Sequence, residues 1–231
     1  MYSSIIKDMK ELVCITGTSQ GIGLAAAKKF IEKGFRVVGV DVNKEALKSS
    51  EYTHIQLDIK EASSILKNYQ FDYIVHNAGT QSEDDKCFSM LENTIRLDES
   101  LRKNNKKVKA ITFNTSISAI YGDEFPWYVA AKAGLNGYMK YVAKQLMPSG
   151  IANAVCFGGV LTELNKPILE DERLKQQVLS INPLKKWMTV EEAANWIYFV
   201  TVENTFATGQ CFEIDGGENS CPESRFIWPK Q

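Results

Sequence analysis

Apolar residues in this chain fall in short runs, and the stretches between them are mostly helical in composition. Runs at 12–16, 35–40, 53–57, 71–76, 108–114, 151–156 and 211–214 are too short for helices, and each predicts a strand. The segment Leu24 to Lys33, closed by Gly34, is typical of the helices between them. Strands alternating with helices predict an α/β fold, a doubly wound parallel sheet of the Rossmann type with helices on both faces. Runs 109–113 and 151–156 are short and apolar, as strands covered on both sides are. No internal repeat, low-complexity tract or linker divides the chain, so 1–231 reads as a single domain. The segment 161–183 breaks the alternation: it is charged, proline-bounded and helical in composition.

Where the first strand meets the first helix, the chain reads Thr16-Gly17-Thr18-Ser19-Gln20-Gly21-Ile22-Gly23. A glycine-rich turn lets backbone N–H groups and the positive end of a helix dipole approach a pyrophosphate. The spacing is not the commonest GxGxxG, and no lysine is placed as in a mononucleotide P-loop. The second strand ends in Asp41, about 20 residues after Gly21, where a carboxylate accepts hydrogen bonds from an adenosine ribose. Strand, glycine turn, helix, strand and acid in that order predict a dinucleotide site.

Tyr128 and Lys132 lie four apart in a helical stretch, which puts both on one face. A phenol has a pKa of about 10 and is a poor base at neutral pH unless a positive charge favours its phenolate. Lys132 is placed to supply that charge. Taken alone, the pair reads first as an exposed tyrosine lying on a lysine stem.

Composition narrows the choice. With 231 residues and 44% hydrophobic content, the chain suffices for one ordinary core. A net charge of -1 gives no reason to expect nucleic acid or an anionic membrane as partner. No apolar run is long enough to span a bilayer, and residues 1–8 lack a secretory core, so a cytoplasmic location is expected. The five dispersed cysteines suit reduced thiols, and two histidines with no CxxC pair argue against a metal.

These pieces together make the chain resemble the short-chain dehydrogenase/reductase family from about Leu12 to Gly217. The family's TGxxxGxG turn is Thr16 to Gly23, its acid-aliphatic pair is Asp58-Ile59, and its Asn-Ala-Gly is Asn77-Ala78-Gly79. Its YxxxK is Tyr128 to Lys132, and Thr208-Gly209-Gln210 with Asp215-Gly216-Gly217 matches its closing segments. The resemblance implies a hydride exchanged between a nicotinamide and a secondary alcohol or ketone. Tyr128 would move the proton, Ser116 would donate a hydrogen bond to the substrate oxygen, and Lys132 would lower the phenol pKa and hold the nicotinamide ribose. Asn93 would complete the tetrad by holding a water. Ser118, two residues beyond Ser116, is the alternative serine. The same resemblance assigns Gly17, Ser19, Gln20, Gly21, Ile22, Gly23, Asp41, Asp58, Ile59, Asn77, Ala78, Gly79, Val160 and Thr162 to the cofactor, together with Tyr128 and Lys132.

Asp41 favours NAD, because a carboxylate repels the 2′-phosphate of NADP. Gln20 and Val42 stand where NADP-using members commonly carry a basic residue, with Lys44 as the reservation. The alternatives are an NADPH-dependent reductase of 3-oxoacyl thioesters and a dinucleotide-sensing protein without turnover. Tyr121, Phe125, Trp127, Leu161, Leu164 and Trp187 are candidates for an apolar substrate pocket, with Asp123, Glu124 and Glu163 as acceptors.

Several positions depart from the family pattern or bear on assembly. Phe157 replaces the usual proline and is expected to change the cleft wall, and His76, in place of an asparagine, reads as a packing residue. The segment 161–183 resembles a substrate lid, with an ordinary surface helix as the other reading. Small residues around Gly134 and Gly137 would let another helix come close. In the family the matching helices form subunit contacts, which implies a homotetramer, with a homodimer second. The tail 218–231 carries Phe226, Ile227 and Trp228, which would suit a neighbouring subunit, with a disordered end as the other reading.

Overall fold

The computed structural model describes residues 10–219 and 221. Phe226, Ile227 and Trp228 lie outside the described residues. Among the described residues, seven strands form one parallel sheet: β1 (Leu12–Thr16), β2 (Arg36–Asp41), β3 (Tyr52–Gln56), β4 (Tyr73–His76), β5 (Ala110–Ser116), β6 (Ile151–Phe157) and β7 (Cys211–Ile214). Their order is β3-β2-β1-β4-β5-β6-β7. The order reverses beside β1, and such a switch point opens a crevice at the carboxyl ends of the strands.

Alternation along each strand sends side chains to two separate cores. On one face Leu12, Cys14, Val38 and Ile111 pack under α2 (Ile59–Leu66), α3 (Lys86–Asn104) and α5 (Pro126–Leu146). On the other, Val13, Ile15, Val37 and Val155 pack under α1 (Gly21–Glu32) and α8 (Val190–Tyr198). The central strands β4 and β5 are buried at every position, which is why their sequence shows no polar alternation.

The observed strand β5 runs two residues past the predicted end. Ser116 pairs with Phe157 on β6, so the serine closes the strand rather than following it. A short helix α4 (Ser118–Tyr121) comes next and stops at Gly122, which adopts φ +81°. Pro126 opens α5, where its missing N–H costs nothing. The segment after β6 is helical as expected, in α6 (Lys166–Leu169) and α7 (Glu172–Ile181), the latter capped by the Asp171 carboxylate. Thr189 and Glu192 form a reciprocal capping box on α8.

Phe157 corrects one expectation: it is 3% exposed and packs into the core beneath α8, so its ring does not form a cleft wall. Gly134 has an internal purpose, since a Cβ there would sit 2.9 Å from Leu91 of α3. The Gly137 position faces open space. No helix among the described residues is long and apolar enough to cross a membrane.

Candidate active site

At the amino end of α1 the backbone is shaped by two glycines. Gly17 holds φ +75° and donates its N–H to the Val40 carbonyl at 2.7 Å. A Cβ on Gly23 would lie 1.9 Å from the Gly17 carbonyl oxygen, so only glycine lets the helix pass so close to the turn. No side chain caps α1 at Gln20, and its first N–H groups are left for a ligand.

The neighbouring loop is fastened to this turn by Asn77. Its side-chain amide donates to the carbonyls of Thr16 and Gly17 at 3.0 and 3.2 Å, and accepts from Asn114 at 2.8 Å. The Thr16 hydroxyl accepts the backbone N–H groups of Asn77 and Ala78. Asn77 therefore sets the crevice width between β1 and β4, and Gly79 lies beyond it, close to the Lys132 ammonium.

The Asp41 carboxylate, 8% exposed, accepts the N–H of Ser19 at 2.9 Å and that of Asn43 at 2.9 Å. Asp58 caps α2 by accepting the Lys60 N–H, and Ile59 is buried behind it. Val160 is buried and bridges to Met188. Thr162 faces the glycine turn across the crevice, its methyl 3.6 Å from where a Cβ of Gly21 would stand. The cofactor candidates thus gather along one crevice. Its glycine cradle, uncapped helix and buried carboxylate fit a dinucleotide.

Ser116, Tyr128 and Lys132 meet at the carboxyl end of β5. Tyr128 lies in the first turn of α5, near enough to Ser116 for the serine to favour its phenolate. Lys132, one turn on, donates to the Asn114 carbonyl at 3.0 Å and stands 5.6 Å from the Tyr128 ring centre. Desolvation lowers the Lys132 pKa to about 8. The phenol moves opposite to expectation. Burial, followed by the nearby Glu124 charge, pushes it up, and Ser116 offsets this only in part. Loss of hydration around the phenolate outweighs any help from the lysine.

Ser118 begins a helix instead of extending the strand, yet the turn brings it back. The Ser116 hydroxyl donates to the Ser118 oxygen at 3.0 Å and accepts the Ser118 N–H at 3.1 Å. The two candidate serines form one unit. The small cavity beside Lys132 is lined from α3 by Cys87, Met90, Leu91 and Thr94, and Asn93 is not among its lining residues. One residue rotates a helix by about 100°, and Thr94, not Asn93, takes the inner face.

Glu124, in the left-handed region at φ +77°, accepts from Gln81 Nε2 at 3.1 Å. The parts of the site not foreseen are the Asn114 carbonyl, Thr94 and Gln81. The first carries no side-chain signal, and the others depend on helix rotation and loop path. His76 is a packing residue, as expected: it is 2% exposed, stacks on Phe113 with ring centres 5.0 Å apart, and meets Asp98 at 3.0 Å. Among the described residues, no group of three or more His, Cys, Asp or Glu is arranged to hold a metal ion.

Comparison with known proteins agrees with this geometry. Residues 87–219 match the family described as enoyl-(acyl carrier protein) reductase, and residues 13–135 match the NAD dependent epimerase/dehydratase family. The 3-oxoacyl-acyl-carrier-protein reductase FabG of Thermotoga maritima is 31% identical, over 89% of this chain and 96% of that protein. The FabG protein of Buchnera aphidicola subsp. Schizaphis graminum is 28% identical, over 92% of this chain and 98% of that one. Among solved structures, 4-hydroxyisoleucine dehydrogenase complexed with NADH superposes with a TM-score of 0.80 at 25% identity, covering 91% of this chain and 99% of that one. A short chain dehydrogenase family protein from Francisella tularensis gives a TM-score of 0.83 at 24% identity, covering 92% and 100% of the two chains. Agreement in sequence along most of both chains, with one shared sheet architecture, makes this protein a member of the short-chain dehydrogenase/reductase family, an oxidoreductase that uses a nicotinamide dinucleotide.

Proposed function

We propose that the protein is an NAD(H)-dependent oxidoreductase that interconverts a secondary alcohol and a ketone. The observation that supports this cofactor best is the Asp41 carboxylate, buried at the end of β2 and fixed by two backbone N–H groups. Its oxygens keep lone-pair sites for ribose hydroxyls, and its charge opposes a 2′-phosphate. Gln20 and Val42, both exposed, add no positive charge.

When bound, the nicotinamide supplies or takes the hydride. Tyr128 holds the proton exchanged with the substrate oxygen, and Ser116 donates a hydrogen bond to that oxygen. Lys132, steadied by the Asn114 carbonyl, holds the ribose and offers a charge that appears as pH falls below about 8. Segment 161–183 serves as a lid; the exposure of Leu161, Leu164, Leu174 and Ile181 supports a surface that closes on an apolar ligand. A homotetramer is the proposed assembly, with exposed Phe88 and Trp127, packed edge to face, on the outer side of α3 and α5.

The relatives named 3-oxoacyl-acyl-carrier-protein reductase favour a second reading, reduction of a 3-oxoacyl thioester with NADPH. Cofactor fluorescence titration separates the two. NAD(H) is expected to bind at least tenfold more tightly than NADP(H), about 1.4 kcal/mol. Equal affinities, or a preference for NADPH, would favour the thioester reductase. A panel of simple alcohols, cyclic diols, sugars and steroids with NAD then identifies the substrate class.

A further inference from the structure

We propose that Tyr52 and His54 of β3 are positioning residues for the adenosine ribose, holding the Asp41 carboxylate in place through a closed ring of hydrogen bonds. The inference rests on the reading of Asp41 as the acceptor of the ribose hydroxyls. Asp41 takes one backbone N–H on each carboxylate oxygen, from Ser19 on Oδ2 and from Asn43 on Oδ1, both at 2.9 Å. Both donors are themselves held from β3. His54 Nε2 lies 2.9 Å from the Asn43 carbonyl oxygen, His54 Nδ1 lies 3.1 Å from the Tyr52 hydroxyl, and that hydroxyl lies 2.8 Å from Thr18 Oγ1. Thr18 precedes Ser19 in the glycine turn, so the ring closes on itself.

The hydrogens of this ring run in one direction. A carbonyl only accepts, so His54 Nε2 donates to Asn43, and Nδ1 of the neutral imidazole is left to accept from Tyr52. Tyr52 in turn accepts from Thr18, whose hydroxyl is fully buried. Burial raises the Tyr52 pKa against the lowering effect of Thr18, and the charges of Asp41 and Glu45 add to the rise, so the phenol keeps the hydrogen that His54 needs.

Gly39 is an independent sign that the sheet is built around this ring. It stands among valines in the middle of β2, where a Cβ would overlap both the Tyr52 hydroxyl and Thr18 Oγ1. Glycine weakens a strand interior and marks a close approach by another group. Here the phenol of β3 passes over β2 at Gly39 to reach the turn after β1. The ring thus ties three strand ends to one carboxylate. An acceptor already fixed in direction binds its ribose without first being ordered, whereas one free to turn loses part of that affinity.

The test measures Kd for NADH and for NADPH by cofactor fluorescence in wild type, His54→Ala, His54→Gln, Tyr52→Phe and the Tyr52→Phe/His54→Ala double variant, with thermal melting as the check on folding. Loss of one anchor of a charged acceptor is expected to weaken NADH about tenfold in His54→Ala and in Tyr52→Phe. NADPH should weaken less, because its phosphorylated ribose does not draw on Asp41. His54→Gln can still donate to the Asn43 carbonyl and should bind NADH more tightly than His54→Ala. The double variant should be no weaker than the worse single one, since a ring opened once is open. Tyr52→Phe strands the buried Thr18 hydroxyl, but His54 is partly exposed on the edge strand, so His54→Ala keeps the test decisive if the other variant melts early. Wild-type NADH affinity in the folded variants would overturn the positioning role, as would an equal loss for NADPH or additive losses in the double variant. A wild-type chain that binds NADH no better than NADPH sinks the reading of Asp41 itself, before any variant is compared.

Discussion

Two polar clusters lie along α5, ten residues apart, built from similar parts. In one, Tyr138, Arg102 and Asp98 meet beside His76; in the other, Tyr128, Lys132 and Glu124 meet beside Ser116. In the first, each charge has an opposite partner. The fully buried Asp98 carboxylate accepts from Arg102 Nε at 2.7 Å, from Tyr138 at 2.7 Å and meets His76 at 3.0 Å. Burial works to raise the Asp98 pKa, yet His76 and Arg102 outweigh it and hold the carboxyl below its usual range. Burial likewise opposes the charge on Arg102, and Asp98 more than restores it.

The second cluster lacks that balance. Lys132 has a carbonyl for a partner, and its pKa falls to about 8; Glu124 rises because desolvation outweighs its hydrogen bonds. Paired charges lock a structure in one protonation state, whereas half-paired ones are left freer to change it. The comparison separates a brace from a reaction site on a single helix.

The largest expected effect breaks the brace. Asp98→Ala leaves Arg102 without its carboxylate and should cost about 3–5 kcal/mol of stability, read by urea denaturation. A loss below about 1 kcal/mol would show that the cluster holds nothing together. Because the carboxyl pKa is depressed, its contribution is present above the unfolded-state value and is lost as pH falls through the folded one.

Next in size, Tyr128→Phe should lower kcat by about 10²-fold or more while NAD affinity stays close to wild type. Tyr138→Phe on the same helix should leave kcat unchanged, and a reversed pattern would exchange the roles of the two clusters. Ser116→Ala should harm turnover more than Ser118→Ala, since Ser116 is the serine assigned to the substrate oxygen.

The smallest effect has the opposite sign. Lys132→Met removes a desolvated, half-paired charge and should stabilise the cofactor-free protein by about 1 kcal/mol, or roughly 2–4 °C in Tm. The folded-state pKa lies below the ordinary value of 10.5, so the unfolded chain binds more protons between about pH 8 and that value. Wild-type stability therefore gains with pH across that window, and the variant should not show this gain. A variant less stable than wild type would mean that Lys132 braces the fold as Arg102 does.

The sequence by itself determined the strands, their alternation with helices, the glycine turn and the pairing of Tyr128 with Lys132. Each of these depends on neighbours a few residues apart, where apolar period and backbone freedom act directly. What only the tertiary structure decided is which side chains meet across elements. Thr94 lines the small cavity beside the lysine, Ser118 returns to Ser116 through a turn, and Gly134 makes room for Leu91 within the chain. The direction of the Tyr128 pKa belongs to the same class, because it is set by how much water the packed helices exclude. Proximity along a chain fixes local geometry, but burial and charge balance are sums over groups that folding alone brings together.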